Sequence, residues 1–291
     1  EKAFRHNDEL QSVVMPSTIV SIGHDAFACC PNFKSLTIPE NVKEFSNFSF
    51  HAMPSLEYLA VDEKNEYFDS RGGCNAIIKT KTNTLYVGCR STVIPEDIKA
   101  IANGAFVSGS GIPGHVTPFE ITIPKNVETL EFQAFAGCTS LKAITLSEGV
   151  KSIGGSAFNG TSIERIVIPA SVTEISEGAF RGCNLLKEIK VKKGNKVYDS
   201  RKGCNAIIES ETDKLIVGCA KTYIPKGVKS IGFNAYAGCL IENVDIPSSV
   251  ELIEEYAFAN CRNLKHIVIP GNVKEIGSSA FWASGIESVT V

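Results

Sequence analysis

Apolar residues in this chain fall on a pattern that repeats every 22 to 23 residues. The units "IPKNVETLEFQAFAGCTSLKAIT" from Ile123, "IPASVTEISEGAFRGCNLLKEIK" from Ile168 and "IPSSVELIEEYAFANCRNLKHIV" from Ile246 superimpose almost letter for letter, and further units start at Met15, Ile38, Ile94, Leu146, Ile224 and Ile269. Within each unit an L-x-x-L-x-L spacing, such as Leu141, Ile144 and Leu146, predicts a short strand with its apolar side inward. Proline follows at Pro124, Pro169, Pro247 and equivalent positions, where its missing N–H and fixed φ turn the chain out of the ladder. The unit then supplies Val and Ile, such as Val172 and Ile175, and an Ala-Phe pair such as Ala179-Phe180, a small residue beside a large plug. One such coil cannot bury its own apolar face, so the predicted fold is a stack of coils with parallel strands, stabilised by its neighbours.

These residues carry a family resemblance. Units reading I-P-x-x-V-x-x-I-x-x-x-A-F-x-x-C-x-x-L resemble the BspA-type leucine-rich repeats of bacterial and protist surface proteins, and the match covers nearly all of the chain. The resemblance implies a right-handed, β-rich leucine-rich-repeat solenoid, an extracellular or cell-surface location, and roles in adhesion or protein binding, with no catalytic residues. Ser49-Phe50 and Ala235-Tyr236 in place of Ala-Phe, the Leu146-Ser147 start, and Thr161 and Ser284 where cysteine is usual are departures that a core or turn can absorb. The expected organisation is a single solenoid over 1–291, opening on a partial repeat at 1–14 whose Ala3-Phe4 matches Ala26-Phe27. An N-terminal cap or leader is expected to be absent from this chain.

Two longer modules, 38–93 and 168–223, interrupt the regular period. They share "FDSRGGCNAII" at 68–78 and "YDSRKGCNAII" at 198–208, and across 68–89 the copies agree at 14 of 22 positions. The polar "TKTN" and "SETD" between apolar runs predict a β-hairpin inserted in the solenoid. Cys74 and Cys89, like Cys204 and Cys219, lie symmetrically about the turn, which would let them face each other across the ladder. An acid, a serine, an arginine and a cysteine kept together in both copies are open to two readings. As scaffolding, Asp69 and Ser70 suit a turn, Gly73 a special φ, and Ile77 and Ile78 a strand core. As a duplicated active site, Ser70 or Cys74 would need a base, yet neither copy holds a histidine, and His6, His24, His51, His115 and His266 share no repeat position. The scaffolding reading is favoured, and no enzyme activity is expected.

The ten cysteines fit the same logic. Cys30, Cys138, Cys183, Cys239 and Cys261 each follow the Ala of their unit by four residues, a register suited to buried structural thiols. No C-x-x-C and no zinc-like Cys/His spacing occurs, and no cofactor motif is present, so neither metal nor cofactor is expected.

Composition narrows the partners. A net charge of −3 and a pI near 6.0 give no global basic field, which argues against nucleic acid. No apolar run is long enough to span a bilayer. A monomer binding a protein or a glycan is the expected form, with a structural spacer as the alternative. Candidate contact residues are the outward strand positions Tyr58, Arg165, Lys190, Asp245 and His266, although such a face can equally be merely solvated. The Gly/Ser-rich stretch 108–118, including Ser108 and His115, lengthens its unit to 29 residues against 22 for its counterpart and is a second candidate edge. Charge supplies a third: Asp62, Glu63 and Glu66 of the first module become Lys192, Lys193 and Lys196 in the second.

Overall fold

A computed structural model describes residues 1–107 and 119–291. The chain winds as a β-solenoid, and hydrogen bonds tie neighbouring coils to one another along three sides. The first side holds the strands expected from the L-x-x-L-x-L spacing. Ser35–Ile38 pairs in parallel with Tyr58–Val61, Phe119–Ile123 with Leu141–Leu146, Arg165–Ile168 with Glu188–Val191, and His266–Val268 with Ser288–Thr290. Their burial alternates as a half-buried strand requires: Ile166 and Ile168 point into the core, while Arg165 and Val167 face out. The segment around Asn243 and Asp245, expected to be a strand, forms none, and Asp245 is exposed on irregular chain.

A second side was not anticipated from the sequence pattern. The V-x-x-I stretch after each proline contains a two-residue strand, as at Thr129–Leu130, Ser152–Ile153 and Glu174–Ile175, and these pair in parallel from coil to coil. Each is too short to show alternation of its own, so periodicity could not reveal it. The third side is the Ala-Phe turn. The amides of Phe106, Phe135 and Phe158 donate to the carbonyls of Ala134, Ala157 and Ala179 in the following coil, each at 2.8 Å.

The phenylalanines of that turn form ladders inside the solenoid. Phe106, Phe135, Phe158 and Phe180 stack nearly face to face with centroids 4.8, 5.7 and 5.1 Å apart. Tyr236, Phe258 and Phe281 continue the arrangement at 5.0 and 5.4 Å, and Phe4, Phe27 and Phe50 at 5.1 and 5.6 Å. The departures Tyr236 and Phe50 thus occupy ordinary rungs.

The ladders are interrupted where the two long modules enter, and the modules explain the interruption. In the first, Phe68–Asp69, Ala76–Lys79 and Thr84–Gly88 form an antiparallel meander whose last strand pairs in parallel with Ala100–Ile101. In the second, Tyr198–Asp199, Ile207–Glu209 and Lys214–Val217 repeat this and join Ser230–Ile231. The expected hairpin is therefore present, with one additional strand. It serves as a two-faced partition: Ile77 and Val87 pack toward the N-terminal core, while Ala76, Ile78 and Leu85 pack toward the central one. The second copy divides in the same way, with Ile207 and Val217 on one side and Ala206, Ile208 and Leu215 on the other. Gly88 and Gly218, shared by the two "VGC" segments, lie beneath the next aromatic rung; a Cβ at either would come within 2.3 Å of the ring of Phe106 or Tyr236.

Candidate interaction faces

The duplicated motif resolves into a set of committed bonds. The Ser70 hydroxyl donates to the Ala76 carbonyl at 2.8 Å, and Ser200 donates to Ala206 at 2.6 Å. Arg71 Nε donates to Asp69 at 2.8 Å, and its other nitrogens reach Asp69, Asn83 and Asp97, so the side chain ties the start of the meander to its hairpin turn. Arg201 does the same between Asp199 and Asp213. Burial pushes the Asp69 carboxyl up, but hydrogen bonds from Arg71 and Thr80 outweigh it and hold the group below the ordinary carboxylate range. Asn75 and Asn205 adopt φ of 53° and 60°, a conformation asparagine tolerates better than most residues. Their side chains accept from the amides of Leu59 and Ile189, both at 2.6 Å, and fasten the first-side strand to the meander. Gly73 and Gly203 take φ of 64° and 65°, as the turn requires.

The cysteine pairs expected to face each other do not. Cys74 packs into the central core and Cys89 into the N-terminal one; Cys204 and Cys219 are likewise divided between two cores. A register shift between Ile77 and Ile78, repeated between Ile207 and Ile208, removes the symmetry that the sequence spacing implied. No disulfide joins any of the ten cysteines. The repeat cysteines have a specific role: Cys30, Cys138, Cys183 and Cys261 direct their thiols to the carbonyls of Phe4, Phe106, Phe158 and Tyr236 in the preceding coil, at 3.0, 2.6, 3.1 and 3.1 Å. Burial pushes the Cys183 and Cys261 thiols up to about 12, far from the thiolate form that reacts. Alkylation of the native protein at neutral pH is expected to modify Cys29, the half-buried thiol, well before the nine buried ones, with mass mapping as the readout. Rapid labelling of Cys74 or Cys204 in folded protein would contradict the scaffolding role. Among the described residues, no group of three or more His, Cys, Asp and Glu side chains is placed to hold a metal ion.

Outside the core, the modules create relief on the first side. Each leaves an open groove on the first side, between its strand and the short 3-10 turn of the motif. In the first module the floor is Tyr58–Val61, the turn is Arg71–Gly73, and the groove measures about 670 Å³. In the second the floor is Glu188–Val191, the turn is Arg201–Gly203, and the groove measures about 780 Å³. Of the expected contact residues, Tyr58 lies in the first groove, 56% exposed. Arg165 and Lys190 lie together in the second, on adjacent strands, and Lys192, Lys193 and Lys196 continue from its floor as exposed residues. His266 is exposed on a later strand, where its Nδ1 is 2.6 Å from the Ser288 hydroxyl, and neither it nor Asp245 lines these grooves. Ser108 and His115 fall outside the described residues. Sequence reasoning missed the grooves themselves and the contribution of Lys187 and Lys221 to the second, because the motif turn and the strand it faces are separated along the chain.

Such a repeat-built stack has known counterparts. The family model for "BspA type Leucine rich repeat region (6 copies)" matches residues 1–112, 117–211 and 216–291. The chain belongs to this family. Solved structures share its architecture. A leucine rich cell surface protein of Faecalibacterium prausnitzii A2-165 is similar at a TM-score of 0.57 and 22% identity, over 98% of this chain and 82% of that one. The pneumococcal vaccine antigen PcpA gives 0.56 and 20%, over 98% and 73%, and a leucine-rich repeat protein of Eubacterium ventriosum gives 0.53 and 21%, over 99% and 80%. Among proteins with curated descriptions, none matches. At these identities the structures share the fold with this BspA-type repeat protein. The family, and the Faecalibacterium and Eubacterium neighbours, are described as leucine-rich proteins. No helix among the described residues is long and apolar enough to cross a membrane.

Proposed function

We propose that this BspA-type repeat protein is a non-enzymatic interaction module of the cell surface or extracellular space, engaging a partner macromolecule through the first side of its solenoid. The observation that carries the reading is the pair of open grooves set into that side by two copies of one module, where Tyr58 and Arg165 stand on rigid parallel strands. Side chains held on paired strands lose little further freedom on binding, which favours recognition over a flexible loop. Tyrosine and arginine are also the side-chain types that most often anchor interfaces. Membership of a surface-protein repeat family, and neighbours described as a cell surface protein and a vaccine antigen, support the location.

The test is a binding screen of the immobilised protein against extracellular matrix and cell-surface proteins and glycans, run beside Tyr58→Ala and Arg165→Ala. Both side chains are exposed, so both variants are expected to fold normally while at least one partner is weakened by about tenfold or more. A chain that binds nothing would instead act as a spacer, and partners that ignore both substitutions would place the contact away from these two side chains.

A further inference from the structure

The two grooves share one backbone plan and differ in charge. An offset of 130 residues superimposes the modules, so Ala60, Asp62, Glu63, Glu66 and Ser91 of the first correspond to Lys190, Lys192, Lys193, Lys196 and Lys221 of the second. At the groove mouth, Glu57 becomes Lys187 and Ser35 becomes Arg165. The structural bonds are kept through this exchange: Asn195 holds the same four partners as Asn65, and Asn205 and Ser200 repeat Asn75 and Ser70. Scaffold and lining have therefore been varied separately, and the net change is toward cations: Lys34, Tyr58 and Arg90 become Glu164, Glu188 and Ala220, but the seven changes to lysine or arginine outweigh them.

Several of these cations are not used up internally. Lys187 pairs with Glu164 at 3.6 Å, Lys190 with Glu188, and Lys192 with Glu148 at 2.6 Å. Among the described residues, Arg165, Lys193, Lys196, Lys202 and Lys221 form no ion pair. The Glu188 carboxyl is held below its ordinary range by its hydrogen bond to Lys190, with Arg165 and Lys221 adding to the same field. The groove thus carries a local positive excess on a chain whose net charge is −3.

We propose that the second groove, between strand Glu188–Val191 and the Arg201–Gly203 turn, is a binding site for a sulfated polysaccharide. This rests on the interaction-module reading and names the partner class for one of its two grooves. Lys190 on the floor strand and Lys192 just beyond it stand two residues apart, about 7 Å along extended chain, and Lys193 and Lys196 follow in the turn after them. The positive row runs out of the groove through Lys192, Lys193 and Lys196, so an extended polyanion can follow it. An acidic protein segment would be expected to need apolar or aromatic anchors, and this groove has no aromatic lining residue, whereas Tyr58 stands in the first. A ligand held by charge alone, releasing counterions from an open site, matches the lining better.

The first module supplies the control. The variant Lys190→Ala, Lys192→Asp, Lys193→Glu, Lys196→Glu and Lys221→Ser installs side chains that the same scaffold already carries in its other copy, and circular dichroism is expected to show an unchanged fold. Heparin, its desulfated form, polyaspartate and single-stranded DNA would be titrated against the parent chain at about 0.15 M salt. The expected result is heparin binding that weakens steeply with salt, a loss of roughly a hundredfold in the variant, and little binding of desulfated polymer. The reciprocal variant, Ala60→Lys, Asp62→Lys, Glu63→Lys, Glu66→Lys and Ser91→Lys, is expected to bind heparin more tightly than the parent. Absence of heparin binding by the parent, equal binding by the variant lacking these five lysines, or stronger binding of polyaspartate or DNA overturns the assignment. Should the parent ignore heparin yet lose another partner through Tyr58→Ala or Arg165→Ala, this proposal fails while the interaction-module reading stands.

Discussion

Phe158→Ala is expected to destabilise the solenoid by about 3 to 5 kcal/mol, the usual cost of removing a buried phenylalanine whose surroundings cannot collapse into the space. Phe158 is fully buried and stacks on Phe135 at 5.7 Å and on Phe180 at 5.1 Å. Its amide and the amides of its neighbours are fixed by the Ala-Phe turn ladder, so the backbone has little freedom to close the cavity. Stability in a repeat stack is largely a sum over neighbouring coils, and two interfaces lose contact at once. Urea unfolding followed by circular dichroism measures the effect. A midpoint equal to that of the parent would remove the aromatic ladder as a source of stability.

Asn65→Ala is expected to cost about 2 to 4 kcal/mol, because one side chain satisfies four backbone groups at the entrance to the first module. Its Nδ2 donates to the carbonyls of Pro39 at 2.7 Å and Val42 at 3.0 Å, and its Oδ1 accepts from the amides of Tyr67 at 2.8 Å and Phe68 at 2.9 Å. Pro39, Val42 and Phe68 are buried, so water cannot readily replace the lost partner. Aspartate is nearly isosteric but lacks the two donors, and Asn65→Asp is expected to be damaging as well. Hydrogen exchange should show the loss first in the Phe68–Asp69 and Ala76–Lys79 strands, ahead of the C-terminal coils. Uniform exchange along the whole chain, or an unchanged melting temperature, would contradict the stapling role. Asn195 makes the equivalent four bonds in the second module, so the paired substitution there is an internal repeat of the experiment.

The sequence by itself determined the repeat, its register and its inward positions. Translational repetition forces equivalent residues into equivalent environments, so Val127, Val150 and Val172, or Phe135 and Phe158, could be assigned to the core from their spacing alone. It also placed the hairpins, since a polar turn between two apolar runs is a local signal. The outward position of Tyr58 and Arg165 followed from alternation within a single strand. Tertiary structure decided what depends on residues distant in the chain. The second ladder of two-residue strands exists only because coils stack; a pair such as Thr129–Leu130 has no periodicity to read and is a strand through its partners. A one-residue register shift sent Cys74 and Cys89 into different cores, which symmetric spacing could not foresee. Charge exchange between the modules was visible in the letters, but the groove that gathers Arg165, Lys187, Lys190 and Lys221 was not. Those side chains come from three separate stretches of chain, and only the stacking of one coil on the next brings them to one surface.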